Sequence, residues 1–300
     1  MAVQLDGIFP PIPTPFNSQG EIVAQALAKN LAHWNRFDLR GYVVLGSNGE
    51  FVFLSEQEKL QILEAARAVI SSGKLLVAGT GCQGTGETID LTRKAAASGA
   101  DAALVLTPSY YKGQMTPETL VQHHHTVADA SPIPVIIYNM PACTGIDLTA
   151  ETVATMAQHP NIIGLKDSGG DVVKLGNIRR LAGSDFQVLA GSASFLLPAL
   201  SVGAVGGILA LANIAPAQCL AIYQHFLDGE WGQAREIQVR MIPANTAVTR
   251  GWGVPALKAA MDMLGLYGGP VRSPLLPLPE ESWRDLRTIL VRGGILQSEH

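Results

Sequence analysis

The sequence predicts a (β/α)8 TIM barrel with a helical C-terminal extension. Three observations predict it: eight short apolar runs rich in β-branched residues, amphipathic stretches between them, and no convincing strand pattern near the C-terminus. Runs that are apolar on both faces belong to a parallel sheet covered by helices. Eight units within roughly 220 residues favour closure into a barrel. An open doubly wound sheet is the alternative that strand counting alone leaves open. The expected division is a catalytic barrel over 1–225 and a helical extension over 226–300.

The first strand is "GIFPPI" (7–12) and the second "GYVVLG" (41–46). "SEQEKLQILEAARAVI" (55–70) follows as a helix, opened by the capping-box spacing Ser55-x-x-Glu58. Next come strand "LLVAGT" (75–80), helix "GETIDLTRKAAASG" (86–99), strand "AALVLT" (102–107) and helix "TPETLVQHHHTVADA" (116–130). Strand "PVIIYNM" (134–140) and helix "TAETVATMAQH" (149–159) lead to strand "IIGLK" (162–166) and helix "DVVKLGNIRRL" (171–181). The last strands are "FQVLAG" (186–191) and "GGILALA" (206–212). Beyond them, helical patterns cover 230–248 and 254–265, a Pro-rich break covers 268–281, and a final helix ends the chain.

Composition narrows the function classes. Hydrophobic residues make up 47% and charged residues 15%, enough apolar side chain for a large core. The net charge is −4 and no dense Lys/Arg run occurs, which argues against nucleic acid or an anionic membrane as partner. Cys82, Cys143 and Cys219 form an odd set without CxxC spacing, as expected of unpaired buried thiols in a reducing compartment. "MAVQLDGIFPPIPTPF" lacks the basic start and apolar stretch of a signal peptide, and the apolar region 202–217 is too short to span a bilayer. The expectation is a cytoplasmic protein.

In a TIM barrel, active sites gather at the C-terminal ends of the strands. Those ends carry Ser47, Asn48 and Glu50 after the second strand and Tyr110 and Tyr111 after the fourth. Tyr138 and Asn139 close the fifth, Lys166 and Ser168 the sixth, and Gly191 and Ser192 the seventh. Lys166 stands out because it continues an apolar strand, whereas the remaining lysines fall in helix patterns or loops. A lysine at a strand end ordinarily snorkels to water. Desolvation, however, makes an ammonium give up its proton more readily, and a neutral amine forms Schiff bases with carbonyl compounds. Tyr138, at the tip of the adjacent strand, is placed to carry protons.

Three other patterns are weaker. "GTGCQGTG" (79–86) matches Gly-x-Gly-x-x-Gly, but it follows the third strand, and Asp101 stands at the wrong end of the next strand to hold a ribose. A tight turn near the barrel mouth accounts for its glycines. His123, His124 and His125 are adjacent on a helix and point in different directions, so they do not share one ion. No metal is expected, and these residues read as a solvated or partly packed helix face. "GSNGE" is either a plain turn or a turn whose backbone N–H groups also hold a carboxylate.

Together, "GSNGEF", "TPSYY", "YNMP" and "GLKDSGGD" resemble the dihydrodipicolinate synthase and N-acetylneuraminate lyase superfamily, over essentially the whole chain. Within it, "TPSYYKGQM", "HPNIIGLKDSGGD", "GAVGGILALAN" and "MDMLGLYGGP" are similar to segments of 4-hydroxy-2-oxoglutarate aldolases. The resemblance implies Lys166 as Schiff-base lysine and Tyr138 as proton shuttle. It implies Ser47 and Asn48 as holders of a 2-oxo acid carboxylate, and Ser168 at the distal end of the substrate. Tyr110 would enter a neighbouring subunit's site, which implies a homotetramer built as a dimer of dimers. No cofactor is implied. One position departs from the pattern: synthases of this superfamily carry arginine in "YNxPxRTG", and here Cys143 stands in its place. Other pyruvate lyases of the superfamily, a nucleotide-binding oxidoreductase and a catalytically silent pyruvate sensor are the competing expectations.

Overall fold

A computed structural model describes residues 3–297. Its eight parallel strands are β1 (Gly7–Phe9), β2 (Gly41–Val44), β3 (Leu75–Gly79), β4 (Ala102–Leu106), β5 (Val135–Asn139), β6 (Ile162–Asp167), β7 (Gln187–Ala190) and β8 (Gly206–Ile208). The order is β1-β8-β7-β6-β5-β4-β3-β2. Pro11 and Val43 close the ring: the Ile12 N–H donates to the Val43 carbonyl at 2.9 Å, and the Val43 N–H donates to the Pro10 carbonyl at 3.0 Å. The open-sheet alternative is thereby removed.

Alternation along the strands divides the core in two. Phe9, Val43, Val77, Leu104, Ile136, Leu189 and Ile208 pack together in the barrel interior. Ile8, Val44, Ala78, Val105, Ile137, Leu165 and Val188 pack in the larger core beneath the helices. Helices form where the sequence carries caps: Ser55, Thr116, Thr149 and Asp171 each accept a backbone N–H at a helix start. Three further helices, Ala24–Trp34, Leu196–Ser201 and Pro216–Leu227, start without a side-chain cap, so the sequence marks their edges poorly.

The last strand is shorter than its apolar run. β8 stops at Ile208, and Ala210–Asn213 form a 3-10 turn. The Asn213 side-chain amide donates to the carbonyls of Pro11 and Ala210, both at 3.0 Å, and bends the chain over the barrel rim. Among the described residues, no helix is long and apolar enough to cross a membrane.

The C-terminal helices Trp231–Thr246, Gly253–Met263 and Glu280–Arg292 pack against the barrel. Lys258 is as deeply buried as the strand lysine, at 1% exposed against 4% for Lys166. It pairs with buried Glu50 at 2.6 Å, donates to the Pro270 carbonyl at 2.8 Å, and lies over the Phe16 ring. Burial pulls its ammonium below the usual lysine pKa, and Glu50 opposes that fall. Arg272 completes the junction. Its backbone N–H donates to Glu50 Oε2 at 2.7 Å, and its guanidinium grips Glu58 at 2.6 and 3.0 Å, holding that carboxyl down to about 2. Glu50, one of the polar groups at the strand ends, therefore supports the loop after β2.

His123 and His124 are buried, not solvated. Their rings meet edge to face, His123 contacts the Thr85 hydroxyl, and His124 Nδ1 lies 2.8 Å from the Leu120 carbonyl. Burial, followed by the neighbouring His124, lowers the His123 pKa to about 4.

Two stability predictions follow from these groups. Truncating Lys258 to Ala strands Glu50 in the interior and should cost about 3–5 kcal/mol by urea unfolding; a loss below about 1 kcal/mol would contradict the pairing. His123 is kept neutral in the fold, so its contribution is present above an unfolded pKa near 6.5 and lost as pH falls towards about 4. His123→Gln should flatten the pH dependence of Tm across that window, and an unchanged slope would refute the assignment.

Candidate active site

Lys166 reaches the barrel mouth through strand register. β5 and β6 pair Ile136 with Gly164 and Tyr138 with Lys166. Because Ile136 and Tyr138 belong to the interior cluster, the partner positions on β6 face the interior too. The Lys166 Nζ lies 4.0 Å from the centre of the Tyr138 ring. Lys166 has no ion pair among the described residues.

The neighbouring carboxylate is occupied elsewhere. Asp167 is fully buried but points away from the interior, accepting from Asn139 Nδ2 at 2.7 Å and the Gly169 N–H at 2.8 Å. It pairs with Lys174 at 3.0 Å. Lys174 and Asn139 also hold Asp147, at 2.5 and 2.7 Å. Burial opposes both charges, yet the mutual hydrogen bonds dominate, so Asp147 titrates below and Lys174 above its ordinary value. Sequence reasoning missed this network. The one available signal was Asp167 itself, which alternation places on the face opposite Lys166.

Ser47 connects the pair to the loop after β2. Its Oγ lies 3.3 Å from Tyr138 Oη. Ser47–Gly49 form a short 3-10 turn, bracketed by two residues in the left-handed region, Leu45 at φ 63 and Glu50 at φ 55. Such non-glycine conformations cost about 1–3 kcal/mol each and persist only where the surroundings dictate them. Leu45 is held by burial and Glu50 by Lys258 and Arg272. The loop thus presents Ser47 and Asn48 from a fixed frame.

Several polar atoms around this frame are buried without a protein partner: Asn48 Nδ2, Thr107 Oγ1 and Ser168 Oγ. Buried polar groups are ordinarily satisfied, so these are groups with capacity for a bound molecule. A cleft of about 580 Å³ includes Thr107 in its wall, together with Ser47, Phe51, Lys59, Cys143 and Leu275. Of the three cysteines only Cys219 is buried; Cys143 is exposed, and partial desolvation pushes its thiol up while the charge of Lys166 opposes that rise. Sequence reasoning had not singled out Thr107, which stands at the end of β4 just as Ser47 follows β2. A groove of about 740 Å³ lies at the opposite end of the barrel, lined by Asp6, Arg40, Lys74 and Tyr223. It is remote from Lys166 and lies on the face that in such barrels serves stability.

Gly191 and Ser192 follow β7. A Cβ on Gly191 would stand 2.1 Å from Ser168 Oγ and 2.5 Å from the Asp167 carbonyl, so only bare backbone fits there. Ser192 Oγ accepts a hydrogen bond from Asn245 Nδ2 at 2.9 Å, which ties it to the C-terminal extension. Tyr110 is not brought to the site. Its side chain is 80% exposed, packed edge to face with Tyr111, while its backbone N–H donates to Gln83. The glycines of "GTGCQGTG" have a packing role: a Cβ on Gly79 would strike the Leu45 carbonyl at 2.1 Å, and one on Gly81 the Leu106 backbone at 2.4 Å.

Comparison with known proteins gives concordant results. The model of the dihydrodipicolinate synthetase family matches residues 4–292. The chain is 36% identical over 294 residues to a 4-hydroxy-tetrahydrodipicolinate synthase of Methanothrix thermoacetophila, covering 98% of both chains. It is 37% identical over 282 residues to a probable mitochondrial 4-hydroxy-2-oxoglutarate aldolase of Emericella nidulans, covering 92% of this chain and 91% of that one. The crystal structure of a Bacillus anthracis dihydrodipicolinate synthase superposes with a TM-score of 0.92 at 29% identity, over 96% of this chain and 98% of the other.

Proposed function

The chain belongs to the dihydrodipicolinate synthetase family, carbon–carbon lyases of the aldolase type, and from that premise we propose a class I aldolase that cleaves 4-hydroxy-2-oxoglutarate to pyruvate and glyoxylate. The observation that carries this reading is the buried, unpaired Lys166 in register with Tyr138.

In this mechanism the neutral Lys166 amine adds to C2 of the 2-oxo acid, and loss of water leaves an iminium ion. That cation is the electron sink for carbon–carbon cleavage. Tyr138 takes the proton of the C4 hydroxyl, the O–H electron pair forms the aldehyde C=O of the departing glyoxylate, and the pair of the broken C3–C4 bond forms the C2–C3 double bond of the enamine. Protonation at C3 and hydrolysis of the imine release pyruvate and regenerate the amine. Ser47, within hydrogen-bond reach of Tyr138, relays the proton, and Asn48 together with Ser47 receives the substrate's C1 carboxylate. The orphaned Ser168 hydroxyl, with Gly191 and Ser192, lines the distal end. No cofactor takes part, because the lysine supplies the electron sink.

Tyr110 joins the relay of a partner subunit. Its exposed ring, beside that of Tyr111, supports this role, and we place the enzyme in the cytoplasm as a homotetramer built from two such dimers. A second reading, 4-hydroxy-tetrahydrodipicolinate synthase, is favoured by the Methanothrix relative. Cys143 counts against it, since a thiol makes no charged bidentate contact with a carboxylate.

Two measurements test the proposal. Pyruvate release should be fast from 4-hydroxy-2-oxoglutarate, slow from 2-keto-3-deoxygluconate and oxaloacetate, and at background for Lys166→Ala; equal rates on all three would discard the substrate. Tyr138→Phe should lower kcat by about 10²-fold or more, and a near wild-type rate would remove the tyrosine from proton transfer.

A further inference from the structure

The neutral thiol of Cys143 offers a dicarboxylic substrate no cation, whereas the C-terminal extension carries an arginine beside the loop that follows Lys166. The helix Trp231–Thr246 does not stop in a regular cap but widens into a π turn over Ala247–Gly251. Single π turns inside helices frequently mark functional positions. Asn245, just before this turn, is buried and donates to Ser192 Oγ at 2.9 Å and Ser194 Oγ at 2.7 Å, which docks the turn on the loop after β7. The Thr249 hydroxyl donates back to the Asn245 carbonyl at 2.6 Å.

Arg250 stands on this turn, exposed, with neither hydrogen bond nor ion pair among the described residues. Its guanidinium leans over the loop that follows Lys166: a Cβ on Gly170 would lie 3.9 Å from Arg250 Nη2 and 3.5 Å from the Phe195 ring. The orphaned Ser168 hydroxyl belongs to that same loop. Nearby carboxylates do not compete for the arginine. Asp167 and Asp147 are held by Lys174, and the Asp171 side chain caps its own helix by accepting the Lys174 N–H at 3.0 Å.

We propose that Arg250 recognises the second carboxylate of the substrate and makes this site selective for dicarboxylic 2-oxo acids, an inference that rests on the imine-lyase reading above. A planar guanidinium binds a carboxylate through two parallel N–H donors, and lysine does not reproduce that geometry. Gly170, at φ 87 and without a side chain, keeps the gap between the Phe195 ring and Arg250 Nη2 clear. Lys59, which lines the cleft on the β2 side, is the rival cation.

The test compares kcat/KM for 4-hydroxy-2-oxoglutarate with that for 4-hydroxy-2-oxopentanoate, whose tail ends in a methyl group. Arg250→Gln should cut the preference for the dicarboxylate by about 10- to 100-fold, chiefly through KM. Arg250→Lys should recover only part of it. Equal losses on both substrates, or a preference lost in Lys59→Gln but retained in Arg250→Gln, would overturn the assignment. Wild-type enzyme is treated with pyruvate and borohydride in parallel. A labelled Lys166 with an unchanged preference in Arg250→Gln overturns the arginine's role and leaves the lyase reading standing. An unlabelled Lys166 overturns the lyase reading, and the arginine's role with it.

Discussion

An amine held inside a barrel mouth without a counter-ion is the constraint around which this molecule is built. Burying a charged lysine is costly unless it is paired or gives up its proton. Lys166 is 4% exposed, and the carboxylate next to it in sequence is turned to the opposite face and neutralised by Lys174. The β5–β6 register then brings the tyrosine ring against the lysine. A slip of one residue would exchange Lys166 with Asp167 at the interior, which is why the pairing must be fixed by the whole closed sheet.

The same logic governs the loop after β2. Two residues in left-handed conformations bracket Ser47 and Asn48, and strain of that kind survives only under external restraint. The restraint comes from more than two hundred residues further along the chain, where Lys258 and Arg272 hold Glu50. The C-terminal helices are thus part of the site's support. Through Asn245 they also fix Ser192, so the extension braces the mouth on two sides.

The fold was legible because parallel strands are apolar on both faces and capped helices announce their starts. All eight strands fall within or next to the apolar runs, and Lys166 and Tyr138 were legible because each breaks the apolar pattern of its strand at the end where barrels do chemistry. What stayed hidden depends on contacts distant in sequence. The end of β8 is set by the Asn213 amide reaching Pro11, and the burial of Lys258 by Glu50; neither pairing leaves a local mark. The buried histidines read as a polar helix face because periodicity does not show which polar residues are covered. Uncapped helices were indistinct for lack of a start signal.

The central claim is that Lys166 is the one amine that condenses with a 2-oxo acid, and the most direct test is to reduce the enzyme with borohydride in the presence of pyruvate and map the modified peptide by mass spectrometry. The account predicts a pyruvate-derived adduct on the peptide containing Lys166 and none in Lys166→Ala. An unmodified chain, or an adduct on the other buried lysine, Lys258, would contradict it.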